Sequence, residues 1–220
     1  MDVKRSWIAL ISLVCSFALV VAACGTDAGT SLDDEGETGQ SAGNEEKTIA
    51  VIVKSTEHEF WQTVKKGAEE AGEQFGYNVT FQGASAETAI GEQVSIVEDA
   101  INQQVAAIVL APSDPEALAP PLQNAEEAGI PVVTIDSSVD SDIPESHVST
   151  DNRAAAGIAA EEMAGLIGEE GKVAIVSHVA GASTAIDREE GFKEMIARFP
   201  NIEIVNTFYS DGDREKALQI

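Results

Sequence analysis

Basic side chains are scarce in this sequence: 13 Lys and Arg stand against 38 Asp and Glu, a formal net charge of −25 over 220 residues. A surface of that sign repels a phosphate backbone, so nucleic acid is not an expected partner, and it keeps the chain well solvated. A salt-rich habitat is the other reading of such acidity. Cysteine is scarcer still, with Cys15 and Cys24 alone. The three histidines, His58, His147 and His178, show no zinc-ligand spacing. The Asp211-Gly212-Asp213 turn lacks the further oxygen ligands of a calcium loop. No Gly-x-Gly-x-x-Gly follows the first expected strand, and neither a Walker phosphate loop nor a Gly-x-Ser-x-Gly elbow occurs. These absences argue against a dinucleotide fold and an α/β-hydrolase, and nothing calls for a metal or a cofactor.

What is present begins with an export segment. Lys4 and Arg5 precede an almost continuously apolar run over residues 7–23, and Cys24 follows at once. The run is short for a membrane span, which needs roughly 20 apolar residues. Its basic flank and small-residue end are those of a signal peptide. Val21-Ala22-Ala23-Cys24 has the form of a lipobox, which implies cleavage before Cys24 and lipid on its sulfur. Residues 1–23 are then a lipoprotein signal peptide, and Cys15 is discarded with it. The mature chain keeps no thiol for a disulfide, metal site or nucleophile. Residues 24–47 are rich in Gly, Ser, Thr, Asp and Glu, with Leu32 the only large apolar residue. Such a segment cannot bury a core and reads as a flexible acidic tether.

From Thr48 onward short β-branched runs alternate with longer amphipathic segments. Strands are expected over 49–53, 78–82, 106–110, 132–135, 147–149, 172–177 and 203–208. Helices are expected over 59–75, 87–103, 152–167 and 183–199, with another beginning at Asp213. The first helix is expected to turn Phe60, Val64, Ala68, Ala71 and Phe75 inward. Residues 114–128 read as helical, with Pro120 and Pro121 interrupting or restarting the helix. The alternation predicts an α/β fold of parallel sheets with helices on both faces.

Ligands of such sheets bind beyond the carboxyl ends of the strands. The residues there include Lys54, His58, Phe60 and Trp61 after the first strand, and Asp136 after the fourth. Thr150 and Asp151 follow the fifth, and His178 through Ser183, with Arg188 one turn into the helix, follow the sixth. Carboxylates and hydroxyls thus gather at one edge beside two aromatic rings. A polyhydroxylated ligand suits them: its C–H faces lie on rings and its hydroxyls donate to carboxylates. Arg188 offers a planar fork to ligand oxygens. Simpler roles stand beside these. Thr150 and Asp151 fit helix capping, His58 fits a surface loop, and Arg188 fits pairing with Glu residues on its own helix. Phe60 and Trp61 are adjacent, so one of them must leave the core face.

Several segments together carry a family resemblance: IAVIVKSTEHEFWQTVKKGAEEAG, AAIVLAPSDPEAL, AGIPVVTIDS, STDNRAAAG and GASTAIDREEGF. From about Lys47 to Ile220 the chain resembles the periplasmic binding protein family, in the branch of sugar-binding lipoproteins that serve ABC importers. The resemblance implies a two-lobed type I fold, with a first lobe over 48–150 and a second over 151–220. It also implies that Phe60 and Trp61 sandwich a sugar ring, with His58, Asp136, Thr150 and Arg188 around it. Ser137, Ala111 and Gly212 depart from the ribose-binding pattern, which puts ribose itself in doubt. A signal and tether stand where the related repressors carry a DNA-binding helix pair.

The expected function is capture of a sugar or polyol outside the cytoplasmic membrane, with delivery to ABC permease subunits. The alternative is a sensory protein presenting such a ligand to a membrane receptor. An enzyme is not expected, since Asp136 and Asp151 would make a carboxylate pair about a scissile bond only by accident. Removing Asp136 or Arg188 is expected to cost about 1–3 kcal/mol of binding and to change folding far less. Relatives continue past the point matching Ile220, so the second lobe is expected to be incomplete.

Overall fold

The computed structural model describes residues 47–220. The expected signal peptide, Cys24 and the expected tether up to Glu46 lie outside that range. The first lobe holds β1 (Thr48–Val53), α1 (Glu59–Phe75), β2 (Asn78–Gly83), α2 (Ile90–Asn102), β3 (Ala107–Leu110), α3 (Ala119–Glu127), β4 (Val132–Ile135) and β5 (Ser146–Val148). The second holds α4 (Asn152–Leu166), β6 (Glu170–Ser177), α5 (Ser183–Ile196), β7 (Asn201–Tyr209) and α6 (Arg214–Gln219).

The first sheet is fully parallel in the order β2-β1-β3-β4-β5. Its β-branched strands alternate between two cores, as the two-residue side-chain period requires. Ala50, Ile52, Ile108, Leu110 and Val132 meet Val97 and Ala100 of α2 and Leu122 and Ala125 of α3 on one face. Ile49, Val51, Val53 and Val109 meet Trp61, Val64 and Ala68 of α1 on the other. Burying a side chain such as Ile52 or Leu110 completely contributes at most about 1.5–3 kcal/mol.

Three local expectations need correction. The inward face of α1 runs through Trp61, Val64 and Ala68, whereas Phe60 and Phe75 are 53% and 68% exposed. Phe60 sits one residue before Trp61, so the face that buries one turns the other outward. The third helix does not start at Asp114. The Asp114 carboxylate instead accepts from the Glu116 and Ala117 amides in a turn, and the helix starts at Ala119 with proline in its first turn. Proline is tolerated there because those amides have no intrahelical acceptor. The second helix starts at Ile90, leaving Glu87 in the preceding turn. By contrast, α1 ends where its glycine predicts. Gly76 adopts φ 73°, and its amide donates to the Gly72 carbonyl.

Among the described residues the second sheet is the parallel pair β6-β7. Ile202 and Ile204 of β7 and Val173 of β6 pack against Ala160 and Ala164 of α4 and Phe192 and Ile196 of α5. The two helices approach so closely that a Cβ on Gly191 would lie 2.1 Å from the Arg153 carbonyl oxygen.

Candidate functional site

The carboxyl ends of β1, β4, β6 and β7 face one cavity of about 230 Å³, lined by Lys54, His58, Phe60, Trp61, Glu87, Asp136, His178, Thr184, Arg188 and Gly212. Both lobes contribute. Six residues expected from the sequence meet here: Lys54, His58, Phe60, Trp61, Asp136 and Arg188. Thr150 and Asp151 do not line this cavity. The Asp151 carboxylate caps α4 by accepting from the Ala154 amide at 2.9 Å, and it borders a separate groove between α4 and α5. Thr150 is exposed, and its carbonyl accepts from the Asn152 side chain at 3.1 Å.

A buried network forms the floor. Lys54 directly follows β1 with its side chain 3% exposed, and its ammonium lies 2.9 Å from the Asp136 carboxylate. The Ser137 hydroxyl donates to the same carboxylate oxygen at 2.9 Å. Asp136 has φ 60°, and the Ser137 amide closes a three-residue turn on the Ile135 carbonyl. Such a backbone is uncommon for a residue with a side chain and persists where the surroundings enforce it, often at functional sites. The Lys54 ammonium also donates to the Thr184 hydroxyl at 3.3 Å, a bond from the first lobe to the second. Thr184 lies 3.0 Å from His178 Nε2. Since lysine only donates, the threonine hydroxyl keeps its own proton and a second lone pair for the imidazole. Burial, with Lys54 nearby, pushes the His178 imidazole below its ordinary range, which keeps it neutral at pH 7. A second link between lobes runs from the Ser138 amide to the Ser183 hydroxyl at 3.1 Å.

The aromatic wall is an edge-to-face pair. Phe60 and Trp61 have ring centroids 4.8 Å apart at 76°. Trp61 is buried and its indole N–H points to Glu87 Oε1 at 3.4 Å, while half-exposed Phe60 reaches the cavity mouth. Arg188 donates through Nε to the buried Asn152 side chain at 2.7 Å, so its guanidinium is fixed by its own lobe and does not pair with glutamates along its helix.

Three lining side chains, Glu87, His178 and Thr184, and the backbone of Gly212 are not among the site residues expected from the sequence. His178 does follow a strand, which is the signal that finds it. Glu87 was hidden by its assignment to a helix that begins at Ile90. Among the described residues no group of three His, Cys, Asp or Glu is placed to hold a metal, and no helix is long and apolar enough to cross a membrane.

Two parallel-sheet lobes whose strand ends converge on a polar cavity with an aromatic wall define a two-lobed binding fold of type I. The chain belongs to the periplasmic binding protein family, whose domain model matches residues 49–220. The ribose import binding protein RbsB of Bacillus subtilis (strain 168) is 32% identical over 180 residues, covering 82% of this chain and 58% of the relative. An ABC transporter solute binding protein from Agrobacterium vitis, solved with bound D-fucose, is 46% identical with a TM-score of 0.75, covering 78% of this chain and 61% of its own. A carbohydrate transporter solute binding protein from Agrobacterium radiobacter, in complex with D-arabinose, is 36% identical with a TM-score of 0.77, covering 80% and 61%. The chain therefore spans about three fifths of the length of these relatives.

Proposed function

We propose that this chain is a binding protein and not an enzyme, capturing a neutral sugar or polyol between its lobes and presenting it to the permease of an ABC importer. The observation that carries this reading is the cavity itself. Two aromatic rings meet a fixed carboxylate, Asp136, and a fixed guanidinium, Arg188, drawn from opposite lobes. Rings take the C–H faces of a sugar, and the two charged groups take its hydroxyls. Lys54 has three N–H donors; Asp136 and Thr184 take two, and the third is available to the ligand. His58 edges the mouth, and Thr150 and Asp151 belong to the crossing between the lobes. Import is preferred over sensing because the relatives carry import and transporter names.

In this proposal residues 1–23 direct export, lipid on Cys24 holds the protein at the outer face of the membrane, and the acidic tether lets the lobes stand off. The lobes divide near Thr150. The test is a thermal-shift panel of sugars, polyols and amino acids on protein expressed from Gly25 to the natural stop codon of its gene. A ligand at 100 times its Kd adds about 2.7 kcal/mol, which raises Tm by roughly 5–10 °C. A panel in which no sugar or polyol acts, or in which amino acids act instead, overturns the proposal.

A further inference from the structure

We propose that Glu87 is a ligand-contacting residue that sets specificity by demanding a hydroxyl at the edge of the cavity between Trp61 and Gly212. This rests on the sugar-binding reading of the same cavity. Glu87 lies in the turn between β2 and α2, outside the helix, and lines the cavity. Its Oε1 is engaged by the Trp61 indole at 3.4 Å, which orients the carboxylate. Its Oε2 lies 3.3 Å from where a Cβ on Gly212 would stand. Gly212 is in the left-handed region at φ 74°, so the second lobe offers bare backbone there. A side chain at 212 would strain the turn and push the carboxylate away.

A carboxylate is an acceptor only, with about four lone-pair positions, of which the indole uses one. The group that meets the rest must donate. An aliphatic edge would strip water from Glu87 and return no hydrogen bond, which is how a polar site rejects an analogue lacking a hydroxyl. Glu87 is not needed to neutralise the floor, because Lys54 already has Asp136. Counted together, Lys54 and Arg188 balance Asp136 and Glu87, and His178 is neutral. That balance suits an uncharged polyol over a sugar acid or an amino sugar.

The experiment measures Kd by calorimetry for wild type, Glu87→Ala and Glu87→Gln, on protein expressed to its natural stop codon. The ligands are sugars paired with their deoxy counterparts, beginning with D-galactose and D-fucose. In wild type, removing one particular hydroxyl should weaken binding about 10- to 100-fold. Glu87→Ala should erase most of that discrimination, weakening the parent sugar while leaving the deoxy partner nearly unchanged. Glu87→Gln, which keeps an acceptor, should retain part of it. If Glu87→Ala weakens parent and deoxy sugars equally, Glu87 acts only by holding Trp61, and the proposal is overturned. It is equally overturned if both variants keep wild-type affinity and selectivity. If wild type binds none of these sugars, the underlying function fails first, and the proposal with it.

Discussion

Asp136→Asn should destabilise the empty protein, not only its complex. Asparagine tolerates the left-handed backbone as aspartate does, so the substitution changes charge and little else. Lys54, whose side chain is 3% exposed, would then lose the only carboxylate that pairs with it among the described residues. Removing one partner of a fully buried pair costs about 3–5 kcal/mol. Here Asp136 is 18% exposed and lines an open cavity, so relaxation and water reduce the cost to about 1–3 kcal/mol. That is more than its place near the crevice mouth suggests, where folding is expected to change far less than binding, because the sequence does not reveal its partner. With a urea m-value of about 2 kcal/mol/M, the unfolding midpoint should fall by about 1 M. Replacing both partners, as Lys54→Met with Asp136→Asn, should recover most of that loss, since no buried charge is then left alone. Binding should stay weak in both variants. A single variant as stable as wild type, or a double variant no better than the single, would mean that Asp136 does not stabilise buried Lys54.

Three further outcomes are expected. Burial and Lys54 depress the His178 pKa, so the unfolded chain takes up a proton first, near pH 6.5. This contribution to stability is complete above about pH 6.5 and declines as pH falls toward the folded-state pKa; urea titrations at pH 7 and 5.5 should show a loss that His178→Gln reduces. Gly191→Ala should disrupt the α4–α5 pairing, because the new methyl would overlap the Arg153 carbonyl; a backbone clash that the pair must separate to relieve costs about 3 kcal/mol or more, read as a lower melting temperature by circular dichroism. Mass spectrometry of membrane-extracted protein should find diacylglycerol on Cys24 and no residue before it, whereas an intact Met1 or an unmodified Cys24 would refute the lipobox.

Most of the fold was legible because its signals are local. Runs such as Ile49–Val53 and Val132–Ile135 alternate between two cores, and Gly76 ends α1 by its own backbone preference. The errors also have local causes. Adjacent rings at Phe60 and Trp61 leave the helix phase ambiguous by one residue. Pro120 and Pro121 fit a helix start as well as a break. The strand-end rule gathered Lys54, Asp136 and Arg188, yet no spacing tells that Lys54 is held by Asp136 or Arg188 by Asn152. Each of those pairings is made inside one lobe, by packing that brings together residues distant in the chain. Spacing is equally silent on Glu87, whose importance depends on Trp61 and on a missing side chain at Gly212.

The ligand is expected to sit in the cavity between the lobes. A crystal structure of the protein, expressed to its natural stop codon and grown with the sugar giving the largest thermal shift, tests it most directly. One monosaccharide or polyol is expected there, with a ring face against Phe60 or Trp61 and hydroxyls within hydrogen-bond distance of Asp136 and Arg188. Ligand density elsewhere on the molecule, or a bound sugar touching neither Asp136 nor Arg188, would contradict it.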